Sequence, residues 1–373
     1  MPSARAFHRS RIQRLRKAMK KEHIDTFMVL FQENRRYLSG FTGEDTQFDE
    51  SAGALFITGE QQVLATDFRY DTQARSEAPL FEVFRYREGL AKVFPEILKS
   101  LGTERLGFES IRMSVMERRR MEDHLKKAKM KVELVATAGL VEQIRMVKSA
   151  AETAVIRKAL RLAENAFERI IPLLKPGISE KEAAWALEKE MRESGAEGVS
   201  FPVIAAFGEN SALPHAIPGD RPLKAGEPVL LDWGARLDGY CSDISRSFCI
   251  GKPDALFKKI FRAVHDAQKK AIEAIHAGAS TREVDRVARS LIHRRGFKGR
   301  FGHGLGHGVG LAIHEAPRLG PAAKDTLIAP GMVFTVEPGI YIPEWGGIRL
   351  ENMVFVKKGG AEVLNRLPIE IGI

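Results

Sequence analysis

Two segments of this 373-residue chain carry carboxylates where a β-strand would ordinarily be apolar. Val229-Leu-Leu-Asp-Trp-Gly-Ala235 holds Asp232 inside a hydrophobic run, and beyond Asp238-Gly239 the segment Cys241-Ser-Asp-Ile-Ser245 supplies Asp243. Asp-Gly between two such runs reads as a two-residue hairpin turn. With that turn Leu237 faces Tyr240, and Asp232 and Asp243 become diagonal neighbours on one face, ~7–8 Å apart at the backbone. The pattern recurs: Met332-Val-Phe-Thr-Val-Glu337 and Ile348-Arg-Leu-Glu351 flank a loop, Pro343-Glu-Trp-Gly-Gly347. The expected register makes Glu337 and Glu351 a second diagonal pair, provided no bulge shifts it. Four carboxylates converging on a sheet face cannot all stay ionised without compensation. Two divalent cations would cancel their charge. Any one of these acids alone reads as a solvent-facing strand residue or a salt-bridge partner. The same hairpin in two matched places favours a metal site.

A histidine cluster follows in the second half, Phe301-Gly-His303-Gly-Leu-Gly-His307-Gly-Val-Gly-Leu-Ala-Ile-His314-Glu315. Three of the ten histidines fall within twelve residues, among five glycines. Glycine at this density signals close backbone approach or sharp bends. One imidazole would complete a ligand set of mostly oxygen donors. Strand alternation puts His307 and His314 on opposite faces, so the pattern leaves their roles open. His314-Glu315 is no HExxH helix, because position 318 is Arg. No P-loop, CxxC or GxSxG elbow is present, and Ser179 and Ser280 read as helix caps rather than nucleophiles.

The elements that must position these groups form a duplicated α/β pattern. Lys175-Pro-Gly-Ile-Ser-Glu-Lys-Glu182 resembles His276-Ala-Gly-Ala-Ser-Thr-Arg-Glu283 at an offset of 101 residues, which also relates Gly195 to Gly296. Each Ser with a Glu three residues on predicts a capping box and a helix start. The preceding helices match too, pairing Ala159 with Ile260, Ala163 with Val264 and Leu174 with Ile275. Two helices followed by strands therefore occur twice. Residues 1–145 read as a smaller α/β domain: a basic amphipathic helix over 9–23, then strands at Thr26–Leu30, Ala54–Thr58, Gln62–Thr66, Leu106–Phe108 and Lys131–Val135. The boundary falls just before the helical segment that begins near Ala150, so the second domain is 146–373.

The length calls for more than one core. Net charge is +10, part of it in eight Lys or Arg within residues 1–25 and part between Arg118 and Lys131. Both stretches carry apolar residues at helical spacing, so they read as solvated faces of amphipathic helices. No zinc finger, RNA-binding signature or stacking pattern accompanies them, and nucleic acid is not the expected partner. No apolar run reaches the ~20 residues that span a bilayer, and no secretory signal is read. Cys241 and Cys249 are too far apart along one strand to bond, so they read as reduced thiols of a cytoplasmic protein.

Leu231-Asp-Trp-Gly234, Ser242-Asp-Ile-Ser-Arg246, Gly306-His-Gly308, Thr335-Val-Glu-Pro-Gly339 and Ile348-Arg-Leu-Glu351 resemble, in order and spacing, the family of methionine aminopeptidase, aminopeptidase P and prolidase. The resemblance spans essentially the whole chain. It implies a pita-bread catalytic domain with pseudo-twofold duplication behind a creatinase/prolidase-type N-terminal domain. It implies that Asp232, Asp243, His307, Glu337 and Glu351 hold two divalent ions, Asp243 and Glu351 bridging. Mn²⁺ is the expected metal, with Co²⁺, Fe²⁺ or Zn²⁺ as alternatives. His215, ending Ser211-Ala-Leu-Pro-His215, matches a substrate-contacting histidine, and His303 and His314 match outer or substrate-binding ones. Tyr341 and Arg349 match supporting residues in substrate binding. Asn352 departs from the acidic residue common after the glutamate.

The long preceding domain, with Arg36-Tyr-Leu-Ser-Gly-Phe-Thr-Gly43 and Thr66-Asp-Phe-Arg-Tyr-Asp71, resembles short bacterial aminopeptidases P. The expected activity is thus removal of the first residue from peptides with proline second, through a hydroxide shared by the metals. Glu337 would shuttle the proton, and His215 or His314 would stabilise the oxyanion. Prolidase, which cleaves Xaa-Pro dipeptides, is the alternative; a non-catalytic relative would have lost ligands that are all present here. The family also suggests a homodimer.

Overall fold

A computed structural model describes residues 4–47, 50–370 and 372. The chain divides into two compact units, Met1–Arg145 and Met146–Ile373. The architecture is mixed α/β, as expected.

The first unit is a six-stranded sheet in the order β4-β3-β2-β1-β5-β6. Its strands are β1 (Thr26–Val29), β2 (Ala54–Thr58), β3 (Gln62–Thr66), β4 (Glu82–Arg85), β5 (Arg105–Glu109) and β6 (Glu133–Thr137). Helices α1 (Ala4–Lys21), α2 (Gln32–Ser39), α3 (Asp71–Glu77), α4 (Leu90–Ser100), α5 (Val115–Lys127) and α6 (Leu140–Arg145) accompany it. The basic helices are amphipathic: Ile12, Leu15 and Met19 of α1 and Met121 and Leu125 of α5 are buried, while Arg14 and Lys17 of α1 and Lys126 and Lys127 of α5 are exposed.

The second unit holds the duplication. Helices α7 (Ala150–Ile170) and α8 (Glu180–Glu193) precede β7 (Gly198–Val199), β8 (Ile204–Phe207), β9 (Pro228–Trp233), β10 (Ala235–Leu237), β11 (Tyr240–Cys241) and β12 (Ile244–Cys249). Helices α9 (Ala255–Glu273) and α10 (Thr281–Ile292) precede β13 (Gly306–Gly308), β14 (Glu315–Leu319), β15 (Val333–Val336), β16 (Gly339–Ile342), β17 (Gly346–Arg349), β18 (Asn352–Lys357) and β19 (Gly360–Val363). The principal sheets run β12-β9-β8 and β14-β13-β15-β18-β19. Matching backbone bonds mark the repeat, from the Gly177 amide to the Leu223 carbonyl and from the Gly278 amide to the Ile328 carbonyl. Both Ser179 and Ser280 cap their helices, but only Ser179 forms the reciprocal box expected of each. Ser280 instead donates to Asp325 at 2.7 Å.

The first hairpin has the expected register. Leu237 faces Tyr240 and Asp232 faces Ser245, and Asp238 and Gly239 both have positive φ, 47° and 75°, as a twist-matched two-residue turn requires. The second hairpin departs from its expected register. Ile342 pairs with Gly346 and Gly339 with Arg349, so the connection is only Pro343–Trp345. On this register Glu337 lies directly opposite Glu351 rather than diagonal to it. Gly346 and Gly347 read as loop residues but are strand positions: a Cβ on Gly347 would sit 2.2 Å from the Ser211 carbonyl oxygen. The glycine there makes room for another backbone.

Cys241 and Cys249 are buried free thiols. Among the described residues no helix is long and apolar enough to cross a membrane.

Candidate metal centre and substrate cavity

Strand alternation sets the direction of Asp232. Leu231 and Trp233 of β9 point into the core, where the Trp233 ring stacks on Phe167 at 5.1 Å and its Nε1 donates to the Ala163 carbonyl at 2.8 Å. Asp232 between them projects from the opposite face, into a cavity of about 770 Å³. Asp243 reaches the same cavity from the irregular step between β11 and β12. That step passes close to Gly234, where a Cβ would stand 1.9 Å from the Ser242 carbonyl oxygen. Asp232, Asp243 and Glu351 are all buried and each offers an oxygen within 4.8 Å of the others. His307 Nε2 stands 3.5 Å from Asp243 and 3.3 Å from Glu337. Thr335 links His307 and Glu337, its hydroxyl donating to Glu337 at 3.1 Å and accepting from the His307 amide at 3.1 Å.

Among the described residues Arg349 is the guanidinium bonded to one of these carboxylates, while Arg246, also buried, donates to the Glu351 carbonyl. Arg349 donates through Nη2 to Asp232 Oδ2, through Nε to Ser245 Oγ at 2.9 Å and through Nη1 to the Tyr341 hydroxyl at 2.9 Å. Ser245 Oγ donates to Glu351 Oε2 at 2.8 Å, and the Tyr341 hydroxyl lies 2.9 Å from His303 Nε2. A single network therefore joins His303, Tyr341, Arg349 and Asp232. Two guanidinium groups offset the charge of four acids only in part. Burial, followed by the charge of neighbouring carboxylates, pushes Asp243 and Glu351 well above the usual carboxylate range. Burial raises Glu337 to about 8.

Burial, with His314 beside it, pushes the His307 imidazole down to about 3, and burial with Arg349 nearby lowers His303 to about 4. Burial and then Arg318 lower His314. His307 is thus a neutral donor, as a metal ligand must be. Asp232 Oδ1 is buried without a hydrogen-bond partner among the described residues. Crowded acids, an open carboxylate oxygen and a neutral imidazole are the donor set that divalent cations complete, so these residues fit the expected metals.

His215, His303 and His314 all line the cavity, as does Arg349; Tyr341 stands behind, reached through Arg349 and His303. His307 and His314 do not diverge as alternation suggested. Their rings meet edge to face with centroids 4.3 Å apart. The chain is not one continuous strand here: β13 ends at Gly308, β14 begins at Glu315, and the pairing shifts register between His307 and Gly308.

Arg318 was passed over in the sequence, where it served only to exclude a zinc helix. It lines the cavity from β14, directly opposite His307. No hydrogen bond or ion pair engages its exposed guanidinium among the described residues. The available signal was its place four residues beyond His314, in Glu315-Ala-Pro-Arg318. The apolar wall, including Phe201, Ile204 and Ile313, was not anticipated either.

Residues 154–358 match the model of metallopeptidase family M24, and residues 11–147 match that of the creatinase/prolidase N-terminal domain. An Xaa-Pro dipeptidase of Pyrococcus horikoshii is 33% identical, over 97% of this chain and 98% of its own length. The solved Xaa-Pro dipeptidase of Bacillus anthracis is 37% identical and superposes with a TM-score of 0.91, covering 98% of this chain and 100% of that one. The X-Pro aminopeptidase of Thermotoga maritima is 34% identical with a TM-score of 0.84, covering 96% and 100%. The second unit has the expected pita-bread fold.

Proposed function

This chain belongs to metallopeptidase family M24, and from that premise we propose that it is a metal-dependent Xaa-Pro dipeptidase. The observation carrying the dipeptidase assignment is Arg318, an unengaged cation in a cavity otherwise crowded with acids. A dipeptide presents a free carboxylate one residue beyond the bond to be cut, ~3.5 Å along the chain. A cation at that distance recognises a substrate that ends there. The dipeptidase names of the Pyrococcus and Bacillus relatives support the same reading. Release of the first residue from longer peptides, the reading that led from the sequence motifs, becomes the second one; the Thermotoga neighbour favours it.

Asp232, Asp243, His307, Glu337 and Glu351 would hold two divalent cations, which when bound polarise a carbonyl and make water more acidic. Oxygen-rich donors with one imidazole suit Mn²⁺. Around them the chain's own groups do the rest. Glu337, raised by burial, takes a proton at its carboxylate and returns it to the proline nitrogen as the peptide bond breaks. His314, held neutral by burial, and His215 donate N–H to the carbonyl oxygen as it gains charge. Arg349 fixes one oxygen of Asp232 and leaves the other open. The acids receive the substrate's free amino group, which confines cleavage to the N-terminal residue. Phe201, Ile204 and Ile313 exclude water from one side of the cavity.

Initial rates on Ala-Pro and Ala-Pro-Ala with Mn²⁺-loaded protein test the proposal. Preference for the dipeptide, lost on chelation and restored by Mn²⁺, is the expected outcome. Preference for the tripeptide transfers the protein to the aminopeptidase reading, and no cleavage of either despite bound metal refutes both.

A further inference from the structure

We infer that Glu180 is a positioning residue for His215, acting as a clasp that closes the loop on which this histidine is carried. The inference rests on the reading of His215 as a group that faces substrate. Glu180 is the first residue of α8 and is fully buried, 0% exposed. A buried carboxylate is costly unless its oxygens are satisfied. Here they are satisfied by one loop. Oε1 accepts from the Phe207 amide at 2.9 Å and from Asn210 Nδ2 at 3.0 Å, and Oε2 accepts from the Gly219 amide at 2.9 Å and from Asn210 Nδ2 at 3.2 Å.

Phe207 ends β8, and Gly219 lies twelve residues further on. One carboxylate thus joins both ends of the loop and one residue inside it. The start of α8 reinforces the closure, the Lys181 amide donating to the Gly219 carbonyl at 3.0 Å. Across the loop, Arg349 Nη1 donates to the Pro214 carbonyl at 3.2 Å and the Gly347 amide to Ser211 Oγ at 2.7 Å. The segment is therefore strung between Glu180 and the arginine that holds Asp232.

His215 has no tether of its own. Its exposed ring lines the cavity, and no hydrogen bond engages that ring among the described residues. Backbone position alone aims it, and that position is held by Glu180 at the ends of the loop and by Arg349 at Pro214. Both Glu180 oxygens accept from N–H donors, so Glu180→Gln must set an amide N–H₂ against one of them and open part of the clasp without changing side-chain size. A displacement near 1 Å of a catalytic group costs about 100-fold in rate.

The test compares kcat and KM on Ala-Pro for wild type, E180Q, H215A and the double variant, with histidine ¹H–¹³C spectra of each. The His215 resonance is identified by its loss in H215A. E180Q should lower kcat about 10- to 100-fold with a smaller change in KM. It should shift and broaden the His215 resonance while leaving the others in place, and the double variant should be no slower than H215A. Multiplying losses, or an unmoved His215 resonance, overturns the inference. If E180Q does not fold, N210A carries the same comparison, since Asn210 touches both carboxylate oxygens. Failure of wild type to cleave any proline dipeptide would refute the functional reading instead; the His215 resonance reports on the clasp either way.

Discussion

Replacement of Arg318 by Ala should raise KM for Ala-Pro about 10- to 100-fold while changing kcat little, and should affect Ala-Pro-Ala far less. Arg318 stands across from His307 on adjacent strands, where facing Cα atoms lie ~4.5–5.5 Å apart. A guanidinium there is within side-chain reach of a substrate group bound beside the proposed metal ligands. A full charge pair at 4 Å is worth about 4 kcal/mol at an effective dielectric of 20, and half that at 8 Å. The guanidinium is exposed, so solvent screening reduces the figure. A hydrogen bond to a charged group contributes about 1.5–3 kcal/mol, which converts at 1.36 kcal/mol per tenfold to the range above. Both ground state and transition state keep the carboxylate, so the loss belongs to KM. The tripeptide carries its carboxylate ~3.5 Å further away and gains less to begin with. Steady-state kinetics on both peptides, with Arg318→Lys as the charge-retaining control, decide the matter. Equal losses on the two peptides, or an undiminished dipeptide preference in R318A, would refute the reasoning.

Glu337→Gln should fold normally and lose about 100- to 10,000-fold in kcat, the range for a proton-transfer group; retained turnover would sink its assignment. Gly234→Ala must push a Cβ into the Ser242 carbonyl and so shift Asp243, one residue on. Calorimetric titration should show weakened divalent-metal binding, and unchanged affinity would count against the backbone argument. Glu109, buried, accepts from the Leu30 and Phe31 amides at 2.6 and 2.7 Å, and burial raises it from 4.5 to about 7. The folded chain then binds the proton that the unfolded chain releases, so this contribution is present below pH ~4.5 and is lost as pH rises through ~7. At 1.36 kcal/mol per unit the loss is at most about 3 to 4 kcal/mol. Denaturant unfolding of wild type and E109Q across this range should show wild type losing stability relative to the variant, and parallel curves would refute the shift.

Much of this protein was legible in the sequence because the signals were local. A Ser followed three residues later by Glu marks a helix start wherever it falls, and both caps form. Asp238-Gly239 sets its hairpin by backbone preference alone, so the placement of Asp232 beside Asp243 followed from two residues of turn chemistry. The second hairpin lacked such a signal. Gly346 and Gly347 read as loop, and only the passage of the Ser211 segment over them makes them strand, moving Glu337 to face Glu351.

The tertiary structure decided whatever depends on convergence. The ion pair of Arg349 with Asp232 spans 117 positions, and the meeting of His307 with His314 needs two strands and a register shift. Arg318 and Glu180 carried little signal of their own: one stands four residues beyond His314 and the other begins a helix. What distinguishes them is what each side chain meets. Arg318 faces a cavity of acids without a partner, and Glu180 meets three N–H groups of a loop that begins 27 residues downstream. Local propensities act within a few residues, whereas burying like charges together is locally unfavourable and persists only because the packed remainder of the unit holds them there.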